Sequence, residues 1–143
     1  MPDIDYTRIF RVFPGPAVLV SRDLRILDAN QDFLDVVNQP REIVGQDFFA
    51  AFRGRWDNSD NARDQLRESL ESVAATGETD KIPMLRYDTE QPGRPGVFDD
   101  RYWSVIWMAA QTGPDGKPTV ILGRAEDITP LVREAHRAQA VSG

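Results

Sequence analysis

The stretch PDGKPTVILGRAEDITPLV, residues 114–132, decides the fold because it places a turn, a strand and a helix start one after another. The Gly and Pro residues of 112–118 predict a tight turn, and the apolar run 119–125 predicts a strand. Thr129 is a good helix N-cap, and Pro130 is favoured at the first helical position. With Asp127 and Ile128, these residues form a predicted junction between the last strand and a C-terminal helix leading out of the sheet.

The rest of the chain supplies four more strands and the helices that cover them. Residues 17–20 and 25–29 predict a β-hairpin, and residues 81–87 and 101–110 predict two further strands. Asn30 is a good N-cap for a short helix over 31–37. Tight turns favour antiparallel pairing, and the intervening helices must cover one sheet face, so the predicted fold class is α+β.

A longer helix is predicted over residues 60–76. Its apolar residues recur at spacings of four, four and three, which places them on one face; they are Ala62, Leu66, Leu70 and Val73. Ser59 or Asp60 is the expected N-cap, and Gly77 is well placed to end the helix.

Composition bounds the class of protein. The chain has 143 residues, enough for one domain, and its hydrophobic and charged contents of 41% and 28% are those of a globular protein. A net charge of -6 argues against nucleic acid as a partner. The N-terminus does not have the pattern of a secretory signal, and no run approaches the ~18 apolar residues of a membrane span. We therefore expect a cytoplasmic domain with no membrane span.

Several motifs in order resemble those of a PAS domain: ILDAN at 26–30, IVGQDFFAAF at 43–52, RYW at 101–103 and PDGKPTVILGRAEDIT at 114–129. The resemblance covers residues 6–134. RYDTEQPG at 86–93 with FDDRYW at 98–103 and GRAEDIT at 123–129 is most similar to PAS domains at the N-terminus of bacterial sensor histidine kinases and related two-component signalling proteins. It implies a five-stranded antiparallel sheet with helices packed on one face around a pocket, followed by a C-terminal exit helix.

The resemblance also implies a role. It predicts a sensory domain that binds a small ligand or a partner and relays a conformational change to an output module in the same polypeptide, with no catalytic residues in this chain. The expected organisation is an N-terminal amphipathic helix or cap over 1–16, the sensor domain over 17–128 and a linker helix over 129–143.

Candidate pocket residues follow from the apolar faces of the predicted elements. They are Phe33, Val37, Leu66, Leu70, Trp103 and Val105. Plain core packing is the alternative for each, because aromatic and aliphatic side chains also fill the core of a small domain. Arg86 could hold a carboxylate ligand as a bidentate pair, but a salt bridge to Asp88, Asp99 or Asp100 is favoured because these carboxylates are so close in sequence.

No cofactor is expected. The chain has no cysteine, which excludes cysteine-linked flavin chemistry, and its only histidine, His136, lies in the C-terminal tail and is a poor candidate for haem ligation. No clustered set of metal ligands is evident. The REAHRAQA context of His136 also lacks the acidic neighbour and proline of a kinase phosphoacceptor box, so a solvated linker histidine is expected.

Two alternatives to a ligand sensor stay open. The domain could be a ligand-free dimerisation module whose interface uses the N-terminal helix and the outer sheet face, with Ile4, Ile9, Phe10 and Phe13 of the helix as candidate contacts in a homodimer. A small isomerase-like α+β enzyme is disfavoured because the chain enters a β-hairpin early. Such an enzyme would need a buried carboxylate in its pocket.

Overall fold

The computed structural model describes residues 2–52, 54–56 and 61–142, and it confirms the α+β class. The helices are α1 (Tyr6–Val12), α2 (Gln31–Val37), α3 (Asn61–Thr76) and α4 (Thr129–Ser142), with short 3-10 helices at Arg41–Ile43 and Phe48–Ala51. The strands are β1 (Ala17–Ser21), β2 (Ile26–Ala29), β3 (Arg55–Trp56), β4 (Asp80–Glu90), β5 (Phe98–Asp99), β6 (Tyr102–Thr112) and β7 (Pro118–Asp127).

The strands form one antiparallel sheet in the order β2-β1-β7-β6-β4. The two-residue strands β3 and β5 pair with successive parts of β4 and extend that edge. The predicted five-stranded antiparallel sheet is therefore confirmed, with these two additions. The first strand, β1, and the last strand, β7, lie side by side inside the sheet, where Val18 pairs with Gly123.

The core lies between the concave sheet face and the helices α2 and α3. Residues 103, 105 and 107 of β6 are buried while 104, 106 and 108 are half-buried, because side chains alternate along a strand. Leu66, Leu70 and Val73 of α3 are buried against this face, as their spacing predicts. The expected caps Ser59 and Asp60 lie outside the described residues.

Asn30 fixes the start of the domain, as the N-cap prediction anticipates. Its side-chain oxygen accepts from the Phe33 N–H at 2.9 Å, which caps α2, and from the Ala17 N–H at 3.0 Å. Its amide nitrogen donates to the carbonyls of Phe13 and Gly15. One fully buried side chain thus joins α2, β1 and the segment that follows α1.

Pro83 interrupts the hydrogen bonding between β4 and β6, because proline has no backbone N–H to donate. Regular pairing with β6 shifts between Ile82 and Leu85, which is the irregularity that a proline in a predicted strand indicates. After the shift Leu85 and Tyr87 are buried on the inner side. The shift therefore places these two residues on the side that faces the helices.

Candidate functional site

A cavity of about 60 Å³ lies between the inner sheet face and the α2, α3 and Phe48–Phe52 region. Its lining is almost wholly apolar: Pro16, Val18, Phe33, Val36, Phe48, Phe52, Trp56, Leu66, Leu85, Tyr87, Trp103, Val105, Trp107, Gly123, Arg124 and Ala125. Most of these side chains are buried. The six that are not, which we call the rim, are Pro16, Val36, Phe52, Trp56 and Ala125, all half-buried, and the exposed Arg124. The cavity is therefore suited to a small apolar molecule rather than to an ion.

Aromatic rings build one wall of the cavity. The Phe48 ring packs edge-to-face on Trp107 with centroids 5.5 Å apart, and on Phe52 at 5.0 Å. Phe52 continues to Trp56 and Tyr87 at 5.1 and 5.2 Å. Rings in such edge contacts support one another, so this wall is held by its own packing.

Trp103 is held by a hydrogen bond as well as by packing. Its Nε1–H donates to the carbonyl of Tyr87 at 2.9 Å, across the pairing of β4 with β6. The Tyr87 hydroxyl in turn bonds the Gly54 N–H. Two of the polar groups that border the cavity are therefore satisfied within the protein.

Trp107 differs from Trp103. Its side chain is 1% exposed, and its Nε1–H has no acceptor among the residues that the structure describes. Its ring lies over Gly123, where a Cβ would stand 2.6 Å from the indole Cε3. A glycine is needed here because any side chain would occupy the volume of the ring.

The structure brings four of the seven predicted pocket residues together. Phe33, Leu66, Trp103 and Val105 line the cavity. Val37 and Leu70 do not; both are fully buried in the core, on the inner faces of their helices but away from the cavity lining. Helical periodicity identifies a buried face, but it does not separate cavity lining from close packing.

Arg86 is also not part of the lining. Its guanidinium binds the Asp88 carboxylate, with Nε at 3.2 Å, and Nη2 lies 3.2 Å from Asp100. The salt-bridge alternative is the one that the structure shows. Trp107, Phe48 and Tyr87 are lining residues that the predicted set omitted. Trp107 continues the alternation of Trp103 and Val105 along β6, which made it and Phe48 possible lining residues in sequence, with plain core packing as the alternative.

Asp88, near the end of β4, is the centre of a cluster of charged side chains. Its side chain is 4% exposed and accepts hydrogen bonds from Arg86, from the Arg101 backbone N–H at 3.2 Å and from Arg55 at 3.2 Å. Burial alone would raise the pKa of Asp88, but these donors outweigh burial and hold its pKa below the ordinary value. Asp88 therefore carries its charge at neutral pH and ties the β3, β4 and 100–101 segments together.

The junction between the sheet and α4 differs from the predicted capping geometry. Thr129 is the first helical residue, and its Oγ1 accepts from the backbone N–H of Tyr102 on β6 at 2.9 Å. The prediction that Thr129 caps the helix is wrong, because its hydroxyl is used across the sheet. The Asp127 carboxylate instead accepts from the Thr129 N–H at 2.9 Å, and the Ile128 N–H donates to the Tyr102 carbonyl. Pro130 follows as an exposed residue of the first turn.

Helix α1 and the residues on either side of it present apolar side chains to solvent. Ile4, Ile9 and Phe13 are 58%, 50% and 49% exposed, and Phe10 is half-buried. Arg11 pairs with Asp28 of the edge strand β2 at 3.3 Å, while α1 itself has no buried residue. These are the candidate interface residues of the dimerisation hypothesis, and their exposure leaves them accessible to a partner.

The described residues hold no group of three or more side chains that could bind a metal ion. His136 is exposed on α4 and is not part of the cavity lining. The lining, within the described part of the chain, contains no Asp or Glu, so the carboxylate that an isomerase-type site requires is missing from this cavity. None of the described helices combines the length and apolar character needed to cross a membrane.

No protein-family model and no curated protein matches the sequence. Solved structures do match. The PAS domain of BvgS from Bordetella pertussis is 22% identical with a TM-score of 0.59, and the match covers 95% of each chain. The ethanol complex of the PAS domain of a LuxR-family transcriptional regulator from Burkholderia thailandensis is 18% identical with a TM-score of 0.56, covering 88% of this chain and 99% of that one.

The dimer of VqmA, a LuxR-type receptor of Vibrio cholerae, in the absence of its target DNA is 13% identical with a TM-score of 0.64. That match covers 92% of this chain but 53% of VqmA, so this chain spans about half of VqmA's length. At these identities the likeness establishes the fold. The chain has the fold of a PAS domain.

Proposed function

We propose that this chain is a cytoplasmic sensor domain that binds a small, largely apolar ligand in the cavity and relays its binding through α4 to an output module. The observation that carries the proposal is the position of β6. Trp103 lines the cavity, and its neighbour Tyr102 makes both backbone hydrogen bonds to the start of α4. The cavity residue Trp103 is thus one peptide bond away from the residue that is hydrogen-bonded to the start of α4.

The relay needs no other connection. Trp103 and Tyr102 are consecutive residues of β6, so a ligand that shifts the backbone at Trp103 also shifts Tyr102, whose N–H and carbonyl are hydrogen-bonded to Thr129 and Ile128. A ligand shifts such an equilibrium only if it binds one arrangement of β6 and α4 more tightly than the other. The proposal gives this chain no catalytic role and no resident cofactor.

The output module is proposed from two sources. The sequence resemblance favours a histidine kinase in the same polypeptide, and the similar fold of LuxR-type regulators adds a DNA-binding module as the alternative. In either case this acidic chain is the sensor rather than the part that contacts nucleic acid.

Native mass spectrometry of the chain purified from its natural host tests the proposal. We expect a co-purifying small molecule, and hydrogen exchange at residues 131–136 that changes when the molecule is removed. Val36→Phe at the cavity rim should abolish both, whereas Val44→Phe, a position 37% exposed and outside the lining, should abolish neither. The proposal would be contradicted if no small molecule co-purified and if Val36→Phe left hydrogen exchange at residues 131–136 unchanged.

A dimerisation role is the second candidate, and the exposed apolar side chains in and beside α1 favour it. A homodimer would cover Ile4, Ile9 and Phe13, whose exposure is unusual for so many large apolar groups on one short segment. Sedimentation velocity should show a dimer that Ile9→Glu dissociates and that Val97→Glu, at a position 37% exposed in the turn before β5, leaves intact. A monomer at all concentrations would contradict this role.

A further inference from the structure

Among the buried side chains that the structure describes, one polar group lacks a hydrogen-bond partner. It is the indole N–H of Trp107, a residue of the cavity lining. Its Nε1 is buried and has no acceptor, whereas Nε1 of Trp103 donates to Tyr87. The large majority of buried side-chain polar atoms in proteins have a hydrogen-bond partner, so an exception needs a reason. An indole N–H can only donate, so the missing partner must be an acceptor.

The ring has little freedom to find a partner elsewhere. Gly123 lies directly beneath it on the paired strand, and the Phe48 ring contacts it at 5.5 Å between centroids. Rotation of the indole would move it out of the space that Gly123 leaves open. The N–H is therefore held in place by packing, on a side chain that forms part of the cavity wall.

The cavity also limits the size and charge of what can supply the acceptor. Its volume of about 60 Å³ is well below the ~150 Å³ of an apolar cavity that accepts benzene, which indicates about five non-hydrogen atoms or fewer. An ion is disfavoured, because its lost hydration would be replaced by aliphatic and aromatic side chains. Arg124, the charged residue of the lining, is exposed.

We propose that Trp107 Nε1–H is the recognition donor of the cavity and that the ligand is a small, neutral, mostly apolar molecule with a hydrogen-bond acceptor, such as a ketone or aldehyde. This inference rests on the proposed function, because it names the ligand class of the same cavity. The hydrogen bond to the ligand comes from Trp107, whereas Trp103 contacts the ligand through its ring alone because its N–H is bonded to Tyr87.

The test uses ¹⁵N-labelled protein and three probes. Butan-2-one carries an acceptor oxygen, 2-methylbut-1-ene has the same shape with a CH₂ in its place, and xenon reports whether an apolar probe enters at all. We expect butan-2-one to move the Trp107 indole ¹H signal downfield and 2-methylbut-1-ene to leave it near its starting position. This measurement on the unmodified chain needs no variant to fold.

Paired variants then isolate the N–H. Ketone and alkene differ in their own hydration, so the informative quantity is the ratio of their affinities compared between variants. That ratio should fall about 5-fold in Trp107→Phe, the range of one net hydrogen bond. It should hold in Trp103→Phe, which also alters the wall but removes an N–H already used by Tyr87.

The outcomes separate the two levels of the proposal. If xenon and 2-methylbut-1-ene enter but butan-2-one gives no downfield shift, or the ratio is equal in both variants, the ligand class is wrong and the binding cavity stands. If a bound water alone exchanges magnetisation with the Trp107 N–H and butan-2-one does not displace it, the ligand class is also wrong. If none of the three probes enters, the proposed function itself fails.

Discussion

Thr129→Val tests the connection between the sheet and α4 directly. Thr129 is 1% exposed, and its Oγ1 accepts the Tyr102 N–H at 2.9 Å. Valine keeps the β-branched shape but has no acceptor, so the Tyr102 N–H loses its partner without a large cavity being formed. The variant therefore separates the hydrogen bond from the packing of the side chain.

The expected cost follows from the fate of the donor. A buried donor left without its acceptor costs about 1–3 kcal/mol, and the added methyl group recovers up to about 0.8 kcal/mol if it is well packed. We expect a net loss of about 1–2 kcal/mol in the free energy of unfolding. Because about 1.4 kcal/mol is a factor of ten in an equilibrium constant, amide exchange at Tyr102 should accelerate about tenfold.

Urea denaturation measures the free energy of unfolding, and hydrogen exchange locates the effect. Thr119→Val is the matched control. Thr119 Oγ1 donates to the carbonyl of the exposed Gln111 at 3.3 Å, beside the 112–118 turn, and the loss of this bond should cost less than about 0.5 kcal/mol. If exchange at residues 131–136 rose in Thr129→Val while Tyr102 stayed protected, Thr129 would act as a helix cap, and the connection described here would be refuted.

Three further substitutions test the parts of the fold that hold the site. Asn30→Ala removes a fully buried side chain with four hydrogen bonds and should cost about 3 kcal/mol in urea denaturation. Gly123→Ala places a methyl group in the Trp107 ring and should lower stability by about 1–3 kcal/mol, read as a shifted thermal midpoint. Asp88→Asn should reduce the loss of unfolding free energy that occurs at acidic pH. The pKa of Asp88 is lowered in the folded state, so its charge stabilises the fold above the unfolded pKa of about 3.9. That contribution is lost as the pH falls through the folded-state pKa, and the Asn variant lacks it at every pH.

Each of these has a control of the same chemical type. Gln31→Ala changes the exposed residue next to Asn30, and Gly113→Ala adds a methyl group whose nearest neighbour is a Thr119 methyl at 3.0 Å, on a surface turn. Asp3→Asn removes an exposed carboxylate. If any control matched its partner variant in effect, the buried contacts named above would not be the cause.

The strands and helices of this chain could be predicted because their signals are local. Asn30 precedes a short apolar helix, Pro83 interrupts a strand pattern, and Leu66 recurs with its neighbours at helical spacing; each indication agrees with the structure. The ends of β4 and β6 were less predictable, because they are set by pairing between strands rather than by composition. Both strands extend beyond their apolar runs.

The site could be predicted only in part because it depends on contacts between distant segments. Phe33 and Val105 were identifiable as inner-face residues, but so was Val37, and only the packing decides which of them borders a space. The role of Thr129 was misassigned for the same reason. Its Oγ1 accepts a hydrogen bond from Tyr102, 27 positions earlier in the chain. A capping rule considers only the N–H groups of the residues that follow the cap.

The attachment of α4 to β6 also fixes the rotational phase of everything that follows. An α-helix turns 100° and advances 1.5 Å per residue, so adding one residue to α4 turns an attached module by about 100° relative to the sheet. Adding seven returns it to within about 20° of its original face. In fusions of this domain, the response of the output should therefore vary with linker length in a period of seven, with active lengths recurring and intermediate lengths silent or inverted.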